Sequence, residues 1–407
     1  MFFKLFTDVK DKLFTFVTSY NNQGMDYNFL VENYTNKCVS GRYVTADMIS
    51  DFLNDLNQKF KVEEKGKSVE GRSIKTVTWG VGTTRIFMWS QMHGNESTTT
   101  KAVLDFLHLL NQEKESFIKE WYAKFTFYIV PILNPDGAHY YTRVNANQVD
   151  LNRDSINLTQ PESRLLRTLL EEYKPDYAFN LHDQRTIFGV GETGKPATIS
   201  FLAPSYNEER EVNDNRLEAI RLIVAMNEEL QKVIPGQVGR FDDGFNINCI
   251  GDYCQAQGIP TILFEAGHYQ GDYDREYSSN IVFRSLLISV SALINKNYTD
   301  NTIESYISIP ENHKNFNDIA IEGVTLKETG EDYIVKIQYL EQLESNNVKF
   351  YPIIVDIIKK ESKFVHHRVK ENLFFLESIK NTEDAIDKIL TDVVELGGRE
   401  VNYLLKK

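Results

Sequence analysis

The sequence predicts an α/β chain with a mixed, largely parallel sheet covered by helices on both faces, followed by a small, mainly β unit. Two observations carry this. From about residue 74 to residue 296, short apolar runs alternate with amphipathic stretches. Near Asn301 the composition shifts, and the runs 319–326, 332–340 and 349–358 read as strands. A length of 407 residues allows two or three domains. The division expected is an N-terminal extension at 1–38 packed on the main domain, a main domain at 39–300 and a small appended α+β domain at 301–407.

Taken in order, aromatic-rich segments at Phe14 to Tyr20 and Tyr27 to Tyr34 are expected to pack on the main domain. Thr45 is a candidate N-cap for a helix to Phe60, with Met48, Ile49, Phe52, Leu53, Leu56 and Phe60 on one face. Gly66 to Arg72 reads as a turn, and Ile74 to Trp79 as a strand. The β-branched and apolar run Thr84 to Ser90 leads to His93. Thr98 to Leu110 is helical, with Val103, Leu104, Phe106, Leu107 and Leu110 inward. Phe125 to Leu133 is apolar enough for a strand buried on both faces, ended by an Asn134-Pro135-Asp136-Gly137 turn.

Pro161 to Glu172 reads as a helix with Pro in its first turn. Asp176 to Leu181 and Thr198 to Ala203 read as strands, and Asn207 to Gln231 as a long helix. Phe241 to Cys254 reads as irregular, Thr261 to Phe264 as a strand and Arg275 to Asn295 as a helix. Thr382 to Leu396 reads as a helix in the tail, where His366 and His367 are expected to be exposed.

Composition narrows the function. A net charge of -13 with no basic block argues against nucleic-acid binding. Cys38, Cys249 and Cys254 are too few and too scattered for a disulfide framework or a thiol metal site, and read as buried free thiols of a reducing compartment. Lys4, Asp8, Lys10, Asp11 and Lys12 interrupt the first apolar residues, so no signal-peptide core is present there, and no run approaches a membrane span. A cytoplasmic location is the expectation.

His93, Asn134, His182 and Glu265 all fall at or just past the end of a predicted strand, where open α/β sheets place their sites. His93 and Glu96, three apart, can offer a nitrogen and an oxygen to one cation. His182 completes a His-Glu-His set that leaves a fourth position for water, a donor set that suits one Zn2+. A ligating imidazole needs its other nitrogen held, and Asp150 is the candidate for His93. Asn152, Arg153 and Arg143 form a receptor for an anionic substrate end, because a guanidinium grips a carboxylate through two hydrogen bonds. Arg143 can face a developing oxyanion. Glu265, delivered by an apolar strand, is partly desolvated and so suited to act as a general base.

Together these residues resemble the zinc carboxypeptidase family. The likeness covers about residues 40 to 296. It rests on His-Gly-Asn-Glu at 93 to 96, Asn-Pro-Asp-Gly at 134 to 137, Val-Asp-Leu-Asn-Arg at 149 to 153, His182, Glu265 and the Gly-x-Ser-x-Glu-Gly-Arg segment at 66 to 72. Asn95 looks like the regulatory (N/E) and bacterial members rather than the digestive ones. The resemblance implies a mixed eight-stranded sheet and one zinc held by His93, Glu96 and His182. It implies that Asn152 and Arg153 hold a terminal carboxylate, Arg143 stabilises the oxyanion and Glu265 activates the water.

The chain departs from the family where a lid Tyr is usual. Phe241 to Gly251 holds Phe241 and Phe245 and no Tyr. The specificity pocket is expected from about Ile247 to Tyr253, with Asp252 read as a solvated carboxylate. The expected function is a metallocarboxypeptidase acting on a peptide or peptide-like substrate with a free carboxylate. The alternative is a deacylase of N-acyl amino acids like aspartoacylase and succinylglutamate desuccinylase, which share His-Gly-x-Glu and Asp-Leu-Asn-Arg.

Overall fold

The computed structural model describes residues 25–325, 331–359 and 364–375. Nine strands come first: β1 (Phe60–Lys67), β2 (Ser73–Trp79), β3 (Thr84–Ser90), β4 (Phe125–Val130), β5 (Tyr177–Asp183), β6 (Phe188–Val190), β7 (Ile199–Leu202), β8 (Val238–Arg240) and β9 (Thr261–Ala266). All but β6 form an eight-stranded sheet in the order β1-β2-β4-β3-β5-β9-β7-β8. The central strands β4, β3, β5 and β9 are parallel, β1, β2 and β4 pair antiparallel, and β7 runs against β9. The mixed eight-stranded sheet is therefore as expected.

The central strands are apolar on both faces because helices cover both. In β3, Ile86 and Met88 face one core while Phe87 and Trp89 face the other, the period of two that a pleated strand imposes. The helices are α1 (Tyr27–Tyr34), α2 (Ser50–Asn54), α3 (Thr98–Gln112), α4 (Ser116–Lys124), α5 (Pro135–Tyr140), α6 (Pro161–Tyr173), α7 (Asp214–Leu230), α8 (Ile250–Ala256), α9 (Glu276–Asn295) and α10 (Ile303–Ile307). One core gathers α3, α7 and α9, and the other gathers α6 and Ile250 and Cys254 of α8.

Helix α9 corrects the expectation about membrane spans. It is long and apolar enough to cross a membrane by length and composition, but 78% of its most apolar window is buried inside the protein. It is the central helix of a core, packed on α3 and α7.

Other boundaries also moved. Helix α2 is far shorter than the expected 45–60 helix; Thr45 does not cap it, Met48 is exposed and Phe60 opens β1. Ile49 and Leu53 alone of that face are fully buried, too few to stabilise a longer helix. Strand β1 hid in a charge-rich sequence, as edge strands do, and it takes in Gly66 and Lys67 of the expected turn. Asn134 to Gly137 starts a helix rather than a turn, with Asn134 as N-cap. Helix α7 begins at Asp214 and not at Asn207, capped by Asn213. The irregular stretch ends at Cys249, where α8 begins.

Beyond α10, β10 (Asn312–Lys314) pairs with β6. Strands β11 (Phe316–Thr325), β12 (Asp332–Glu344), β13 (Asn347–Ile358) and β14 (Phe364–Phe375) form a four-stranded sheet in the order β13-β12-β11-β14. Its core shares Tyr273 with the main layer, against Ile319, Ile337, Phe350 and Ile354. His366 is buried, its Nε2 2.8 Å from the Thr186 carbonyl, and not exposed as expected. Only Cys254 is a buried thiol; Cys249 is half-buried and Cys38 exposed. The expected segments at Phe14 to Tyr20 and Thr382 to Leu396, and Leu326, lie outside the described residues.

Candidate metal centre

Strand β3 ends at Ser90, and Gln91 turns the chain with a left-handed φ of 49°. The Gln91 amide donates to the carbonyls of Gly94 at 2.7 Å and Val44 at 2.8 Å. The Glu96 N–H donates to the His93 carbonyl at 3.1 Å, so both side chains leave one tight turn. The neighbouring loop after β4 is held alongside by Asn134 N–H to the Gln91 carbonyl at 3.1 Å. The two loops touch as bare backbone: a Cβ on Gly94 would lie 1.8 Å from the carbonyl carbon of Gly137.

Two of the sequence motifs turn out to be one brace. Asp136, fully buried, accepts from Ser68 Oγ at 2.7 Å, Glu70 N–H at 2.9 Å and Arg72 Nη1 at 2.7 Å. The hairpin at 66–72 thus clamps the helix that backs the His93 loop.

His182 lies near the end of β5, beside Glu265 in register on β9. His93 Nδ1 is 2.8 Å from Glu96 Oε1 and 3.1 Å from His182 Nδ1, and His182 Nδ1 is 2.9 Å from Glu96 Oε2. One donor atom from each residue lies within 4.8 Å of the others, all buried. This donor set fits a small borderline cation such as zinc: two imidazole nitrogens and a carboxylate converge, and the second nitrogen of His93 is 2.9 Å from Asp150 Oδ1. His182 Nε2 is buried without an acceptor among the described residues.

The electrostatics follow from burial and pairing. Burial opposes charge on Glu96, but His93 and His182 outweigh it and hold the carboxyl well below its usual range. Burial likewise opposes charge on His93, and Glu96 and Asp150 outweigh it, raising that imidazole. Burial lowers His182. At Glu265, burial first and then the charges of Glu96 and Asp183 push the carboxyl well above its usual range. Its carboxylate has no hydrogen-bond partner among the described residues.

The remaining expected residues connect to the donors through Glu96 and Asp150. Arg143, half-exposed, donates to Glu96 Oε1 at 3.1 Å and to Asp150 Oδ2 through Nε and Nη2 at 3.2 and 3.1 Å. Asp150 also caps the single 3-10 turn Leu151–Arg153. Asn152 Oδ1 accepts the Ile250 N–H at 3.0 Å, which ties this turn to the start of α8. Arg153 is exposed, its Nη1 3.1 Å from Cys249 Sγ. No sequence signal announced that contact. Phe241 packs on Phe188, with ring centroids 5.7 Å apart. Asp252 is buried rather than solvated; it accepts the Asn246 N–H at 3.0 Å, and burial pushes its carboxyl up to about 7.

Sequence reasoning assigned no role to Asp183. Its carboxylate accepts the N–H groups of Thr98 and Thr99 at 2.9 and 3.3 Å, at the positive end of α3. Its own N–H donates to Glu96 Oε2 at 3.2 Å.

Residues 46–211 match the family described as zinc carboxypeptidase. Among curated relatives, carboxypeptidase SOL1 of Arabidopsis thaliana is 31% identical over 162 residues, covering 34% of this chain and 33% of that one. A zinc carboxypeptidase of Simulium vittatum is 35% identical over 105 residues, covering 24% and 34%. The first relatives matched are covered over only about a quarter of their length, 27% and 26%. Among solved structures, carboxypeptidase A of Helicoverpa armigera superposes with a TM-score of 0.51 at 20% identity, covering 67% of this chain and 80% of that one. That likeness concerns the fold.

Proposed function

We propose that this chain is a metallocarboxypeptidase, a hydrolase that cleaves the amide bond next to the free carboxylate of a peptide or peptide-like substrate. The observation that carries the reading is the convergence of His93, Glu96 and His182 beside Glu265, with the Arg143 guanidinium on Glu96. His93, Glu96 and His182 would hold one Zn2+, which when bound acidifies a water and polarises a carbonyl.

The chain's own groups supply the rest. Asn152 and Arg153 hold the terminal carboxylate, and Arg153 is free enough in solvent to reach it. This would bring the scissile carbonyl toward the ion that His93, Glu96 and His182 would hold. Arg143 swings from its carboxylate partners to donate to the carbonyl oxygen as negative charge develops there. Glu265, whose raised proton affinity suits a general base, takes the proton of the attacking water and passes it to the leaving amine. Asp150 keeps the His93 ring oriented throughout.

The test pairs a substrate panel with one variant. The wild-type chain with zinc should release C-terminal residues from peptides, and Glu265→Gln should lower kcat by about 10²–10⁴-fold with zinc content unchanged. Unchanged kcat in that variant removes Glu265 from its role. Turnover of N-acyl amino acids alone replaces the peptidase reading by the deacylase one.

A further inference from the structure

One carboxylate of the four-stranded sheet leaves its own layer. Glu341 on β12 accepts a hydrogen bond from Arg42 Nη1 at 2.9 Å and another from the Tyr141 hydroxyl. Both partners belong to segments that border the metal donors. The buried Arg42 accepts Ser97 Oγ at its carbonyl, and Ser97 follows Glu96. Its guanidinium charge also lies close to Asp183, the residue after His182. The Nε of Arg42 is buried without an acceptor among the described residues, so Glu341 supplies much of the compensation for that charge.

Tyr141 is the C-cap of α5, with a left-handed φ of 57°, a conformation that a bulky side chain rarely holds unaided. The next carbonyl, Thr142, accepts the Asn95 N–H at 3.2 Å, and the residue after that is Arg143. Glu341 therefore anchors, through two different side chains, the segment that fixes the Glu96 turn and the segment that carries Arg143.

We propose that Glu341 is a positioning residue of the active centre, supplied by the appended sheet, which sets Arg42 against Asp183 and Tyr141 under Arg143. Its kinetic consequence rests on the hydrolytic reading above; its structural consequence does not. Loss of the Glu341 charge leaves the Arg42 guanidinium unbalanced, free to swing toward Asp183. Loss of the Tyr141 contact loosens the left-handed residue and with it Arg143.

The experiment compares the zinc-loaded wild-type chain with Glu341→Gln, Glu341→Ala and Tyr141→Phe. Lys336→Met serves as control, since Lys336 shares β12 but pairs with Asp356 at 3.0 Å on β13. Peptide kinetics and amide hydrogen exchange are both read. Glu341→Gln should lower kcat by about tenfold with KM held within about threefold, Glu341→Ala further, and Tyr141→Phe less. Exchange should quicken at 95–99 and 141–143 in the Glu341 variants, only at 141–143 in Tyr141→Phe, and nowhere near the site in the control.

Unchanged exchange at both segments in Glu341→Ala overturns the proposal. So does quickening spread over the whole four-stranded sheet, which marks a merely structural role. If the wild type hydrolyses no peptide, the hydrolytic reading falls, and the exchange pattern alone upholds or overturns the anchor.

Discussion

At the scale of single residues, the candidate cluster was legible where chemistry needs an uncommon residue at a fixed place in the chain. His93, Glu96, His182 and Glu265 follow apolar strands, and the structure brings them together at strand ends. Asp150 was legible as the acceptor for His93, and it does more than hold that ring. It also caps the turn that presents Asn152 and Arg153 and receives Arg143. Asp150→Ala should therefore weaken zinc binding by about 10–100-fold, measured by competition with a chelator. A loss below about threefold would mean that the ring is held by packing alone. Glu341 was illegible for a plain reason: a lone Glu in an alternating strand reads as solvated. Only the fold brings it to Arg42, which lies 299 residues earlier in the sequence.

At the scale of elements, what the sequence showed was the buried centre of the sheet. Strands β3, β4, β5 and β9 announce themselves because helices on both faces demand apolar residues on both sides of each strand's centre. Edges were harder. Strand β1 is Phe-Lys-Val-Glu-Glu-Lys-Gly-Lys, five of its eight residues charged, and gives no apolar run to find. The function of the Asn-Pro-Asp-Gly stretch also shows only in three dimensions, as an N-cap and a buried carboxylate that lock one loop to another. The Gly94 to Gly137 approach is the tightest point of that lock. Gly94→Ala should part the two loops, lower the unfolding midpoint and reduce zinc affinity together. An alanine variant that keeps both at wild-type values would show that the loops can separate without moving His93.

Across the whole molecule, burial of acids sets a stability trend with pH. Asp105 on α3 is pushed up to about 7 by burial, while it accepts the Asn36 N–H at 2.6 Å; Asp318 on β11 is pushed up to about 6. From about pH 4 up to about 7 at Asp105, and to about 6 at Asp318, the native state holds a proton that the unfolded chain has lost. Each site's contribution to stability therefore falls as pH rises through that window and levels off above it. Asp105→Asn keeps the acceptor for Asn36 and removes the ionisation. Its stability relative to wild type should be near zero at pH 4 and should grow to a plateau above about pH 7, read from denaturant unfolding. A constant difference across the range would show that Asp105 ionises as freely in the native protein as in the unfolded one.

The same long view applies to α9. A twenty-residue stretch as oily as a bilayer anchor is safe only while something shields it. Its shields, α3 and α7, stand earlier in the chain. During synthesis both precede Glu276 to Asn295 out of the ribosome, so the partners that bury the helix are already made when it emerges.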